Sequence, residues 1–95
     1  MKKTFAVSLF LFASIAQAGI PYIWNNGRTF TFEYWNSSNR DETCYGPVYL
    51  KMEDGSKDTV MVREWVNAHR SGHRQYWTNI PGVSIKTIAH NVWCR

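Results

Sequence analysis

The segment Thr29-Phe30-Thr31-Phe32-Glu33-Tyr34-Trp35 constrains this chain most, because aromatic and β-branched residues alternate through it with a strict period of two. A helix would scatter Phe30, Phe32 and Tyr34 around its circumference, whereas a pleated strand lines them on one face. The remaining sequence follows the same pattern. Pro21 to Trp24 reads as a short edge strand ahead of an Asn25-Asn26-Gly27 turn, and the polar stretch 36–42 reads as a loop. Thr43 to Met52 reads as a second long strand, in which Pro47 marks an edge or a bulge. The Asp54-Gly55 turn folds it back into a strand from Thr59 to Val66. Asn67 to Gly72 breaks the alternation, His73 to Thr78 resumes it, and after Pro81-Gly82 the segment Val83 to Cys94 forms one long strand or two short ones.

Strands at intervals of about 8 to 12 residues, with no amphipathic helix among them, predict an all-β fold: a small immunoglobulin-like β-sandwich or an antiparallel meander. The domain spans 19–95. Residues 1–18 have the features of a cleavable signal peptide: Lys2 and Lys3, an apolar run from Phe5 to Ile15, and the small-x-small site Ala16-Gln17-Ala18. The run is too short to cross a bilayer, where about 20 apolar residues are needed, and no later stretch is apolar enough, so a membrane-spanning chain is not expected. The signal has a bacterial look and predicts export to the periplasm or the extracellular fluid. There Cys44 and Cys94 would meet oxidising conditions and pair as the single disulfide.

Lys2 and Lys3 account for two of the 11 Lys and Arg, and the nine that remain face seven Asp and Glu, which leaves +2 on the domain. That sum, with no basic run, argues against a nucleic-acid partner. A bridge from mid-chain to the last strand is expected on facing surfaces inside the core, so Cys44 and Cys94 point inward, with Val48, Leu50, Ile88 and Val92 in phase. The opposite phase then turns Tyr45, Tyr49, Met61, Trp65 and Trp93 outward, and Trp35 opposes Phe30, Phe32 and Tyr34. Large aromatics grouped on an outer face mark a contact surface. The competing expectation is that bulges shift the phase and return the indoles to the core, the commoner outcome in so small a sandwich. On the first reading the domain binds a protein or glycan partner through Trp35, Tyr49, Trp65 and Trp93, with Arg63 giving orientation.

The architecture and the Cys44 to Cys94 bridge resemble small secreted immunoglobulin-like domains, which implies a sandwich and no particular activity. The segment Arg70-Ser71-Gly72-His73-Arg74-Gln75-Tyr76 is similar to the Ser-Gly-x-basic-Tyr loop by which periplasmic C-type lysozyme inhibitors block their target, with Gln75 interposed before the tyrosine. That resemblance implies an alternative role as inhibitor of a secreted hydrolase. The 69–76 loop would then carry Arg70, Ser71, His73, Arg74 and Tyr76, and Arg70 or Arg74 would meet the target's catalytic carboxylates.

Catalysis has little to rest on. Glu33 and Glu64 are read as outward charges guarding the sheet rather than a carboxylate pair held in a cleft. Ser71 and His73 lack an elbow motif, and no glycine-rich phosphate loop is present. His69, His73 and His90 could in principle converge on a metal, but Ser71-Gly72 argues for a turn where a shared helical face would be needed. A small metal-binding or enzymatic domain is the third alternative, and the sequence predicts neither a cofactor nor a metal site.

Overall fold

In the computed structural model the residues described are 19–95, so the expected signal peptide lies outside the described residues. The described residues form seven strands: β1 (Tyr22–Asn26), β2 (Thr29–Asn36), β3 (Glu42–Met52), β4 (Lys57–Val66), β5 (Arg70–Trp77), β6 (Ile85–His90) and β7 (Trp93–Cys94). They form two antiparallel sheets packed together, the first ordered β1-β2-β5 and the second β4-β3-β6, with β7 also paired to β3. The all-β sandwich with one disulfide is thus the observed architecture.

The alternation in β2 sets the inner face of the first sheet. Phe30, Phe32 and Tyr34 are buried there, and Phe30 stacks on Tyr76 of β5 with ring centroids 5.2 Å apart. From the second sheet Cys44, Val48, Leu50, Met52, Val62, Val66, Ile85 and Val92 complete the core. Polar groups tie the two layers at their margins. Tyr34 donates to Glu42 Oε1 at 2.7 Å, and Tyr76 donates to Glu64, which also meets Arg74 Nε at 2.7 Å. At the opposite margin the Ile85 amide donates to the Gly27 carbonyl at 2.9 Å, and Asn25 Nδ2 donates to the Ile85 carbonyl at 2.9 Å.

Three sequence expectations are corrected here. The disulfide joins Cys44 of β3 to Cys94 of β7, which are direct neighbours within one sheet, rather than bridging the two layers as in an immunoglobulin domain. Its sulfurs do face inward, with both cysteines buried. Arg70–Trp77 is a continuous strand, not a loop over 69–76: Arg70, Ser71, His73, Arg74 and Tyr76 pair across from Asn36, Trp35, Glu33, Phe32 and Phe30. Gly72 is needed there for contact rather than for a turn, since a Cβ at that position would come within 2.8 Å of Val66 Cγ2. Glu64 is not an outward charge; it faces inward opposite Cys44 and is held by Tyr76 and Arg74. Glu33 does point to solvent.

Pro47 sits in a central strand, not at an edge. From Lys51 to Cys44, β6 and β7 share one register against β3, with Val48 opposite His90 and Tyr45 opposite Trp93; the ladder shifts at Lys51–Met52 and opens between the two strands. There the Asn91 amide donates to the Pro47 carbonyl at 2.9 Å, but Pro47 has no N–H to return the bond. The Asn91–Val92 backbone instead settles over Gly46, whose φ is 151° and whose Cβ, if present, would lie 2.2 Å from the Asn91 carbonyl oxygen.

Candidate binding face

Antiparallel pairing fixes what lies side by side on the outer face of the second sheet. Reading across β7, β3 and β4, the first row is Arg95, Thr43 and Trp65; reciprocal backbone bonds between Thr43 and Arg95, of 2.9 and 3.0 Å, extend the ladder one residue past β7. The next row is Trp93, Tyr45 and Arg63. Asn91, Pro47 and Met61 follow in register, then Ala89, Tyr49 and Thr59 from β6, β3 and β4, then Thr87, Lys51 and Lys57. Strand neighbours are about 4.8 Å apart, and alternate residues along a strand about 7 Å apart. In the first two rows the indoles of Trp65 and Trp93 therefore hold one diagonal of a rectangle about 10 by 7 Å, and Arg63 and Arg95 hold the other.

Every tryptophan of the domain is exposed, between 42% and 72% of its surface, so the competing expectation of interior indoles does not apply. Tyr45, Tyr49 and Met61 are also about half exposed. Both indoles on this face are held by neighbours: Trp65 Nε1 donates to Asn67 Oδ1 at 2.7 Å and Trp93 Nε1 to Asn91 Oδ1 at 2.8 Å. With its N–H satisfied from the side, each ring offers an apolar surface to a partner. Beside Trp93 an open depression of about 400 Å³ is lined by Thr43, Tyr45, Gly46, Pro47, Asn91, Trp93 and Arg95. It forms where the ladder opens at Pro47.

The charges on the two sides of the molecule are sorted. Arg63, Arg95, Lys51 and Lys57 all project from the outer face of the second sheet. Six of the seven acids do not; Glu53 alone follows the same phase, two residues past Lys51 at the start of the β3–β4 turn, where its amide donates to the Ser84 carbonyl at 2.9 Å. Glu33 belongs to the first sheet, Asp41 and Asp54 to loops and turns, and Glu42, Asp58 and Glu64 to the inward phase of β3 and β4. Among the described residues the ion pair within 4 Å is Arg74 with Glu64, so the four cations of this face have no carboxylate partner within that distance among those residues. Lys51 and Lys57 even stand directly opposite one another across the ladder.

Of the expected aromatic set, Tyr49, Arg63, Trp65 and Trp93 share this face, and Trp35 does not. Trp35 projects from the outer face of the first sheet, paired with Ser71, in the company of Tyr22, Trp24, Glu33, His73 and Trp77. Thr29 and Thr31 point to that same side yet are buried, with Trp77 and Trp24 as their respective cross-strand neighbours. Tyr45 and Met61 were readable as outward from the phase of Cys44 but were not selected as contacts. Arg95 was missed because it lies past the last cysteine, although its spacing of two from Trp93 places it on the same face. The residues of the expected loop divide by strand phase: Ser71 and His73 lie on the outer face of the first sheet, Arg74 and Tyr76 point toward the margin with β4, where Glu64 engages both, and Arg70 opens the strand opposite Asn36. The histidines stand apart: His69 in the β4–β5 turn at φ 57°, His73 on the outer face of β5, and His90 on β6, where burial holds it below the ordinary imidazole range and its Nδ1 accepts the Val92 amide.

No protein family, curated protein or solved structure matches the chain, so the functional reading rests on this geometry.

Proposed function

We propose that the domain is an exported, non-catalytic binding module that holds a protein or glycan partner on the outer face of its second sheet. The observation that carries this reading is the exposed block of Trp65, Tyr45 and Trp93 in adjoining rows, with both indole N–H groups tied off by asparagines. Contact energy concentrates in tryptophan, tyrosine and arginine, and here they are adjacent. Export is supported by the disulfide, which persists in an oxidising compartment, together with the Lys-Lys and Ala-x-Ala pattern of residues 1–18.

The hydrolase-inhibitor alternative has less support, because both arginines it could insert, Arg70 and Arg74, belong to a paired strand and Arg74 meets Glu64 at 2.7 Å. The test is recovery of partners from the producing cells and their medium by the wild-type domain, by Trp65→Ala/Trp93→Ala and by Trp35→Ala. Loss with the double variant and retention with Trp35→Ala is the expected pattern. Identical recovery by the double variant and the wild type would remove the second-sheet face as the site.

A further inference from the structure

We infer that the ligand of this face is an acidic polysaccharide. The inference rests on the binding reading above and goes further, because it takes the ligand's chemistry from the sorting of charge. Four cations share a face that also carries four aromatic rings, while six of the seven acidic side chains lie elsewhere and the seventh, Glu53, stands in the turn at its end and pairs with none of the four. Like charges directly across a ladder are destabilising, and Lys51 and Lys57 occupy such a pair with no carboxylate among the described residues within 4 Å to relieve them. An anionic chain lying on the face removes that cost.

The alternation of ring and cation identifies the kind of anion. A pyranose presents an apolar face of C–H bonds, which stacks on the electron-rich face of an indole or phenol, and a rim of polar and charged groups. On the diagonals of the first two rows, Trp65 and Trp93 would each take a sugar ring, while Arg63 and Arg95 would each meet an acid group at its rim. A guanidinium fork suits such an oxyanion. The depression beside Trp93 is bounded by Arg95 and Asn91 and accepts one ring of the chain more deeply. Lys51 and Lys57 lie along the same face, one end of which is thus continuous with the other for an extended ligand. A single-stranded nucleic acid also combines stacking with negative charge. A net charge of only +2 on residues 19–95 and a disulfide that needs an oxidising compartment favour the polysaccharide.

The test uses the disulfide-bonded domain and pairs of polymers that differ only in charge: polygalacturonate against its methyl ester, and dextran sulfate against dextran. Oligo-dT and polyglutamate supply charge on other backbones. The expected result is binding of at least one acidic glycan well above its neutral counterpart, weakened by salt. Arg63→Gln/Arg95→Gln lowers affinity roughly tenfold, Trp65→Ala/Trp93→Ala abolishes binding, and Trp35→Ala on the other sheet leaves it unchanged. These positions are exposed, and an unshifted melting temperature confirms that each variant folds. Equal binding of polyglutamate, or tighter binding of oligo-dT than of either acidic glycan, overturns the inference. So does failure to bind either acidic glycan above its neutral form. In all three cases the broader binding reading survives if the Trp65→Ala/Trp93→Ala variant still loses a partner recovered by the wild type, and falls if it does not.

Discussion

At the scale of single residues, Gly46 controls how the candidate face is built. Its neighbour Pro47 removes one ladder bond, the backbone at Asn91–Val92 moves in, and only a residue without a side chain can lie beneath it. A methyl group at Gly46 would meet backbone atoms at 2.2, 2.8 and 2.9 Å, none of which can rotate away, at a φ of 151° that L residues rarely adopt. Gly46→Ala is therefore expected to cost roughly 3 kcal/mol or more in a denaturant titration, in the range of strained-backbone and overpacking defects. Gly55→Ala provides the comparison, since its φ is 89° but open space surrounds it, so only the conformational penalty of about 1 kcal/mol applies. Similar losses at the two positions would contradict the packing of Asn91 on Gly46. Nothing in the sequence singled out Gly46, because the contact that demands it comes from a segment 45 residues further along the chain.

At the scale of elements, strand phase was legible wherever alternation was continuous. β2 was plain from Phe30, Phe32 and Tyr34, and the inward cysteines correctly oriented Val48, Leu50, Tyr45 and Trp65. What failed was the reading of β5, where Ser71-Gly72 has the composition of a turn and the structural need is for a small residue under Val66. Inward acids also escaped notice, since a carboxylate on an inner face makes sense only once its phenol partner is known. Those phenol bonds link the sheets: Tyr34 on β2 reaches Glu42 on β3, and Tyr76 on β5 reaches Glu64 on β4. Burial, followed by the carboxylate that each phenol faces, pushes both tyrosines above the ordinary range. A phenol that ionises near pH 10 when unfolded but stays protonated when folded lends stability below that pH and forfeits it as the pH climbs further. Wild-type melting temperature should accordingly fall above pH 10. Tyr76→Phe should lose about 1 to 2 kcal/mol at neutral pH, through the lost bond to a charged acceptor, and show a shallower alkaline decline. Matching alkaline profiles for the variant and the wild type would dissociate Tyr76 from the link between the sheets.

At the scale of the whole molecule, a modest net charge conceals a polarised surface. Summed over residues 19–95, +2 and scattered cations gave no sign of a basic patch. Pairing of β3 with β4 and β7 then gathers Lys51, Lys57, Arg63 and Arg95 from separate segments onto one side. The indoles behave in the same way, because their exposure depends on two sheets whose outer faces carry no covering layer among the described residues. One optical measurement follows from that arrangement. With all five tryptophans at least 42% exposed, the folded domain should emit close to the wavelength of the denatured chain, and acrylamide should quench most of its fluorescence. Unfolding will then be followed poorly by emission wavelength and well by far-ultraviolet circular dichroism. Binding of an acidic glycan should shield Trp65 and Trp93 and leave Trp24, Trp35 and Trp77 quenchable, giving a partial blue shift that Trp35→Ala does not alter. Strong shielding in the free domain, lost on dilution, would instead show that a second copy covers one of the aromatic faces.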